Sequence, residues 1–253
     1  MWETKIPGVA TGLPMTYMLN GKQYIAFTAG EQDTDHPAEL VVFTLADRPA
    51  PAQAGPLAGA NGADNTLTPA EVAAGWVSLF DGRTLTGWEP TGTAQWRVED
   101  GAISVNAGPS SGGLLRTTGI FSDYELKADF WYDKTANSGI FLRCPISNVG
   151  SNAFSCYEVN IFDASDLYPT GSITWVQSTM PDNIVEGPGK WNTFEITADG
   201  THLVVKMNGK ITADTRDGKL TSGTLALQAA GTGLIRFRNF KIRPIGSGRS
   251  AEK

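Results

Sequence analysis

The stretch Tyr124-Glu125-Leu126-Lys127-Ala128-Asp129-Phe130-Trp131 changes character at nearly every step. A period of two is that of a half-buried β-strand. It puts Tyr124, Leu126, Ala128 and Phe130 on one face and Glu125, Lys127, Asp129 and Trp131 on the other. The same rule divides Gly139 to Cys144, where Ile140 and Leu142 oppose Phe141 and Arg143. It also divides Tyr157 to Phe162, where Tyr157, Val159 and Ile161 oppose Glu158, Asn160 and Phe162. The apolar sets predict a core between two sheets. The opposite sets predict a single outer face holding Lys127, Asp129, Trp131, Phe141, Arg143, Glu158, Asn160 and Phe162.

Further strands are expected on either side. Trp96 to Glu99, Ala102 to Val105, Phe194 to Thr197, Leu203 to Met207, Thr224 to Gln228 and Arg236 to Ile242 are short β-prone runs. Asp81-Gly82, Asp100-Gly101, Asp199-Gly200, Asn208-Gly209 and Asp217-Gly218 punctuate the region as turns. Many short strands without helical periodicity predict an all-β, two-sheet antiparallel jelly-roll sandwich over residues 69–247. Thr68-Pro69-Ala70-Glu71 predicts a short helix before it, with a capping hydroxyl, Pro at the first position and an acid three residues after the cap.

Upstream, residues 1–45 predict a small β appendage, with Asn20-Gly21 as a hairpin turn between two β-prone runs. Residues 46–68 are rich in Ala, Pro, Gly and Asn and predict a flexible linker. Residues 248–253 form a tail. The 253-residue chain is 41% hydrophobic and 18% charged, with 29 Gly and 14 Pro, so it combines a substantial core with many turns. A net charge of −6 argues against nucleic-acid backbone binding. No run reaches the roughly 18 apolar residues of a membrane span, and no apolar segment follows Met1 to make it a signal peptide. With only two His (His36 and His202) and two Cys, His/Cys metal sites are disfavoured.

Aromatic, guanidinium and carboxylate groups on one sheet face suit sugar recognition. Rings stack on the apolar side of a pyranose, and Arg, Asn and carboxylates bond its hydroxyls. The same set is also what a solvated sheet face with ordinary cross-strand ion pairs contains. Trp191, in Lys190-Trp191-Asn192, is either a sugar platform or a core ring at a strand start. Asn137-Ser138-Gly139 reads as a turn presenting the Asn137 amide to ligand.

The segments Gly75-Trp-Val-Ser-Leu-Phe80-Asp81-Gly82, Leu85-Thr-Gly87-Trp88, Leu114-Leu-Arg-Thr117, Asp123-Tyr-Glu-Leu126, Ala136 to Arg143, Tyr157-Glu158-Val-Asn-Ile-Phe-Asp163, Lys190-Trp191-Asn192, Leu227-Gln228 and Phe237-Arg238-Asn239 occur here in order. Together they resemble the 3-keto-disaccharide hydrolase domain family, whose fold is a concanavalin-like jelly roll. The resemblance covers about two-thirds of the chain. It implies cleavage of glycosides already oxidised at C3. The ketone acidifies the C2 proton, a base removes it, and the C1 substituent leaves; water then adds back. On this reading the catalytic set is Glu158 as base or acid, Arg143 as oxyanion stabiliser and Asp129 as a second carboxylate. Asn137, Asn160, Trp131, Phe141, Lys127, Trp191 and Gln228 hold the sugar. The chain departs from the family where many members carry His-Gly after Leu-Gln, since here Gln228 is followed by Ala229-Ala230-Gly231. The N-terminal segment Gly12 to Tyr17 with Asn20 to Tyr24 resembles the last strands of a pyrroloquinoline-quinone-dependent dehydrogenase propeller, too little of it to carry a cofactor pocket.

Asp163, where a strand should end, either caps a turn or coordinates a divalent cation with loop carbonyls. No cofactor is otherwise implied. Cys144 and Cys156 flank a Ser/Asn-rich loop and are either a disulfide or two buried thiols; a disulfide implies an oxidising compartment. The expected partner is a carbohydrate and the expected location periplasmic or extracellular. A non-catalytic carbohydrate-binding module, or an interaction domain on a linker, would present the same face without turnover.

Overall fold

The computed structural model describes residues 9–10, 15–19, 22–30, 39–44, 64–106, 108, 112–145, 156–179 and 187–245. The chain divides into two compact units, residues 1–58 and 59–253. In the first, β1 (Val9–Ala10), β2 (Met15–Leu19), β3 (Lys22–Gly30) and β4 (Glu39–Thr44) form one antiparallel sheet in which β3 pairs with all three others. Asn20-Gly21, His36, residues 46–63 of the expected linker and the tail lie outside the described residues.

The second unit opens with Asp64 and Asn65, which belong to the sandwich rather than to a linker. Asn65 is buried and exchanges hydrogen bonds with Asn239, and its amide donates to the Gly101 carbonyl at 2.8 Å. The helix α1 (Pro69–Ala73) starts as expected, with a reciprocal capping box between Thr68 and Glu71.

Thirteen strands follow: β5 (Val77–Ser78), β6 (Trp88–Gly92), β7 (Arg97–Glu99), β8 (Ala102–Asn106), β9 (Gly113–Thr117), β10 (Tyr124–Tyr132), β11 (Ala136–Cys144), β12 (Tyr157–Ile161), β13 (Trp191–Asp199), β14 (His202–Met207), β15 (Lys210–Arg216), β16 (Thr224–Gly231) and β17 (Leu234–Pro244). They make two antiparallel sheets. One runs β15-β14-β13-β10-β17-β8-β7, with β5 also on β17. The other runs β12-β11-β16-β9-β6. The Asp100-Gly101 and Asn208-Gly209 turns join β7 to β8 and β14 to β15, with all four residues at positive φ, as a two-residue hairpin turn requires.

The inward faces meet in one core. Tyr124, Leu126, Ala128 and Phe130 of β10 are buried, as are Ile140 and Leu142 of β11 and Val159 and Ile161 of β12. Phe130 stacks on Phe194 at 4.3 Å within one sheet. Trp88 of β6 meets Phe240 of β17 edge-on at 5.2 Å across the two sheets.

The expected single outer face is corrected by the sheet order. β10 lies in the large sheet, while β11 and β12 lie in the small one. Two sheets that bury their apolar faces against each other turn their outer faces in opposite directions. Lys127, Asp129 and Trp131 are therefore on the far side of the sandwich from Glu158 and Asn160. Period-two reading assigns faces within a strand but does not say which sheet the strand joins.

Candidate active site

The outer face of the small sheet carries a cleft of about 460 Å³. Its floor comes from three adjacent strands: Glu158 and Asn160 of β12, Asn137 of β11 and Gln228 of β16. Its wall is the segment after β12, through Phe162, Ser165, Asp166, Leu167, Tyr168, Thr174 and Trp175. That segment folds back along β12. The Asn160 N–H donates to the Ser172 carbonyl and the Thr174 N–H to the Glu158 carbonyl, both at 2.9 Å.

Glu158 is directly opposite Phe141, and Asn160 opposite Gly139. The pairing of Asn137 with Ala230 and of Ile140 with Leu227 sets Gln228 opposite Gly139 on the other side. Gly139 is thus a bare position ringed by Asn160, Gln228 and Glu158. The Glu158 side chain lies over it. Asn137-Ser138-Gly139 is strand, not the expected turn, and Ser138 points the other way to donate to the Gln228 carbonyl at 2.6 Å.

Glu158 is only 6% exposed. Burial pushes its carboxyl up to about 7, with the Thr174 hydroxyl offsetting part of the rise. Among the described residues no Lys or Arg lines the cleft to hold it ionised. A carboxyl balanced near neutral pH accepts and returns protons with little driving force either way, which suits a general base or acid. Asn137 and Gln228 bring amides that can donate to a developing oxyanion or a sugar hydroxyl. Asn160 is committed on one side, since its Nδ2 donates to the Tyr168 carbonyl and ties the floor to the wall.

The other expected site residues lie elsewhere. Arg143 sits at a β-bulge, where the β11–β16 register shifts between Phe141 and Cys144, with φ +53°. The bulge reverses its parity and drives the side chain inward. It is wholly buried, donating to the carbonyls of Ser122, Gly200 and Leu220 and to the Asp123 carboxylate at 2.7–2.9 Å. Those bonds occupy the guanidinium, so Arg143 is a structural clamp rather than the oxyanion stabiliser. Gly223 permits the bulge, because a β-carbon there would lie 2.3 Å from the Arg143 carbonyl carbon.

Phe141 is buried beside the site in a satellite cluster with Leu114, Cys144, Cys156 and Ala226, so it supports the floor and has no surface to offer a sugar. On the far side of the sandwich, Asp129 accepts from Thr193 and Asn239, both at 2.7 Å. Lys127 pairs with Glu195 at 2.6 Å, and Trp131 lies opposite Trp191 in the β10–β13 register. The guanidinium of Arg238 stacks over Trp191 at 4.0 Å. That face has the character of an ion-paired solvated sheet. Asp163 accepts hydrogen bonds from the Tyr132 and Thr170 hydroxyls, which fixes the turn after β12. Among the described residues no group of three His, Cys, Asp or Glu side chains gathers to hold a metal.

Cys144 and Cys156 form a disulfide with Cα atoms 4.6 Å apart, fastening the end of β11 to the start of β12 two residues before Glu158. Ser165 to Tyr168, Thr174 and Trp175 were not legible as site residues, because they lie in an aperiodic segment. The only sequence signal was a pair of aromatics, Tyr168 and Trp175, in a stretch of mixed polar and apolar residues.

This geometry, a polar cleft floored by the strands that carry the Asn-Ser-Gly and Tyr-Glu-Val-Asn motifs, falls within residues 75–243. That span matches the family described as the 3-keto-alpha-glucoside-1,2-lyase-like domain. The chain belongs to this family. A relative from Bacteroides thetaiotaomicron named 3-keto-disaccharide hydrolase is 35% identical over 79 residues, a match spanning 27% of this chain and 27% of the relative. The fold is shared with a glycosyl-hydrolase candidate from Parabacteroides distasonis solved at 1.70 Å. That structure has TM-score 0.62 and 21% identity, covering 72% of this chain and all of that one. A second such protein from the same organism, solved at 2.00 Å, gives TM-score 0.50 at 24% identity, covering 62% of this chain and 99% of that one. Ala230 lies opposite Asn137 in the β11–β16 register, so an imidazole at that position would stand beside the amides of the floor.

Proposed function

We propose that the cleft binds a glycoside carrying a ketone at C3 and cleaves it by elimination across C1 and C2, with Glu158 as the base. The ionised carboxylate takes the C2 proton. The electron pair passes into the C2–C3 bond and onto the ketone oxygen as an enolate. Its return forms the C1–C2 double bond, restores the ketone and expels the C1 oxygen substituent, which takes the proton now held by Glu158. Addition of water at C1, with a proton delivered to C2, completes net hydrolysis. The Asn137 and Gln228 amides stand in for the cation that Arg143 does not supply, donating to the enolate oxygen.

The observation that carries this reading is Glu158 itself, a buried carboxyl in a cleft with no cation among its described lining residues and balanced near pH 7. Family membership and the relative's name support the substrate class. The disulfide supports an oxidising, extracytoplasmic location. Incubation with a 3-keto-glucoside of nitrophenol, with Glu158→Gln as control, tests the reading. Release by the wild type and its loss in the variant is the expected result.

A second reading, a carbohydrate-binding module without turnover, is favoured by one specific observation: among the described residues the cleft lining holds no Lys, Arg or His. Tight binding of the same glycoside with no release would select it.

A further inference from the structure

The cleft has two chemically different halves. Its floor is polar, with Glu158, Asn137 and Gln228. Its mouth is apolar. Leu167 and Trp175 are 68% and 54% exposed, the two most exposed large apolar side chains among the described residues, and both border this one cleft. Exposed apolar groups gathered at a concave site mark a binding surface.

Trp175 is also held in an unfavourable backbone state. It has φ +64°, in the left-handed region that bulky side chains avoid. The turn carrying it is pinned at both ends, since Ile173 bridges to Val159 of β12 and to Gln177. Tyr168 stands beside it with ring centroids 5.6 Å apart and the planes tilted by 53°. The carbonyl of Tyr168 is fastened to Asn160 on the floor. A strained, exposed indole braced against a second ring and tied to the polar floor is a preformed arrangement, of the kind that accumulates at functional sites.

We propose that Trp175, with Tyr168 and Leu167, is a platform for a planar apolar aglycone, so that the preferred ligand is an aryl glycoside. This rests on the reading of the floor as a glycoside site. A flat ring stacked on Trp175 carries no hydroxyl that would be left unpaired beside Leu167 at the same mouth. A second sugar there would have to set hydroxyls against the exposed Leu167 side chain, where the described polar groups of the wall are Ser165, Asp166, Thr174 and the Tyr168 hydroxyl. Of these, Ser165 Oγ already accepts the Tyr168 N–H at 3.0 Å. Unmatched hydroxyls cost affinity.

The test is calorimetric binding of phenyl and methyl 3-keto-glucosides to Glu158→Gln protein, which prevents turnover from consuming the ligand. The same titrations are run with Trp175→Ala, Trp175→Phe and Leu167→Ala added. The phenyl glycoside should bind tighter than the methyl one. Trp175→Ala should lower that preference roughly three- to ten-fold, Trp175→Phe should keep most of it, and the methyl glycoside should be unaffected. An unchanged preference overturns the proposal. So does an equal loss for both ligands, or a 3-keto-disaccharide that outcompetes the phenyl glycoside through Trp175. Absence of nitrophenol release by the wild type, with the phenyl preference intact, would remove the catalytic reading and leave the platform standing. Failure of both glucosides to bind would remove both.

Discussion

Gly139 makes room for Glu158: a β-carbon built on Gly139 would lie 2.8 Å from both Cγ and Oε1 of that side chain. The two belong to neighbouring strands, and the missing methyl is what lets the carboxyl fold over the sheet instead of rising from it. Gly139→Ala should therefore displace Glu158 as well as crowd the Val159 carbonyl, 3.1 Å from the same β-carbon. We expect a stability loss of about 1–3 kcal/mol in urea unfolding. We also expect a fall in kcat/KM on a 3-keto-glycoside larger than unfolding explains. An unchanged kcat/KM in the folded variant would show that the position of Glu158 is immaterial.

The elevated proton affinity of Glu158 has a stability consequence. Its carboxyl is protonated in the folded chain up to about pH 7, while the unfolded chain ionises near 4.5. Folding therefore takes up a proton in that window, and stability attributable to Glu158 is full below pH 4.5 and lost as pH rises towards 7. The loss is about 3 kcal/mol. Glu158→Gln, which never ionises, should gain stability relative to the wild type as pH is raised from 5 to 8. Denaturant melts of the two proteins across that range measure the difference. Parallel curves would place the carboxyl in water.

Arg143 predicts the opposite behaviour. Arg143→Met strips a buried guanidinium from the carbonyls of Ser122, Gly200 and Leu220 and from Asp123. Leaving those acceptors unpaired should cost about 3–5 kcal/mol, read as a lower urea midpoint. Wherever the variant stays folded, its pH–rate profile should match that of the wild type, because Arg143 does not reach the cleft.

The disulfide is the remaining fastening of the site. Reduction, or the double change Cys144→Ser with Cys156→Ser, opens a loop with a sequence separation of 12. This should cost roughly 3 kcal/mol in the chain-entropy account. Urea midpoints with and without reductant report it. Coincident curves would mean the two strand ends are held by packing alone.

These contrasts also show what could be read without coordinates. The alternation at Tyr124–Trp131, the Asp-Gly and Asn-Gly turns and the Thr68 cap declared the antiparallel sandwich, because strand parity and turn chemistry are local. Glu158 and Asn160 were recoverable by the same parity; Asn137, read as a turn residue, and Gln228, read through the family resemblance, converge with them on one cleft. Arg143 was misread because a single bulge inverts parity, and nothing in Leu142-Arg143-Cys144 announces one. Asp129, Lys127 and Trp131 were misplaced because sheet membership depends on long-range pairing. The strands β5, β6, β9 and β15 were not anticipated, as β5 has only two residues, Trp88–Gly92 contains Pro and Gly, and Lys210–Arg216 alternates weakly. The wall from Ser165 to Trp175 has no period to read at all.

The central claim is that Glu158 removes the C2 proton of a C3-oxidised glycoside. It is tested most directly by comparing kcat/KM for the 3-keto-glucoside of nitrophenol carrying hydrogen or deuterium at C2, across pH, in wild type and Glu158→Gln. The deuterated substrate should be cleaved more slowly, and the rate should climb with pH through about 7 as the carboxyl ionises. In Glu158→Gln the rate should fall by roughly a hundredfold or more, and that limb should vanish. Cleavage that ignores the isotope and survives the substitution would contradict it.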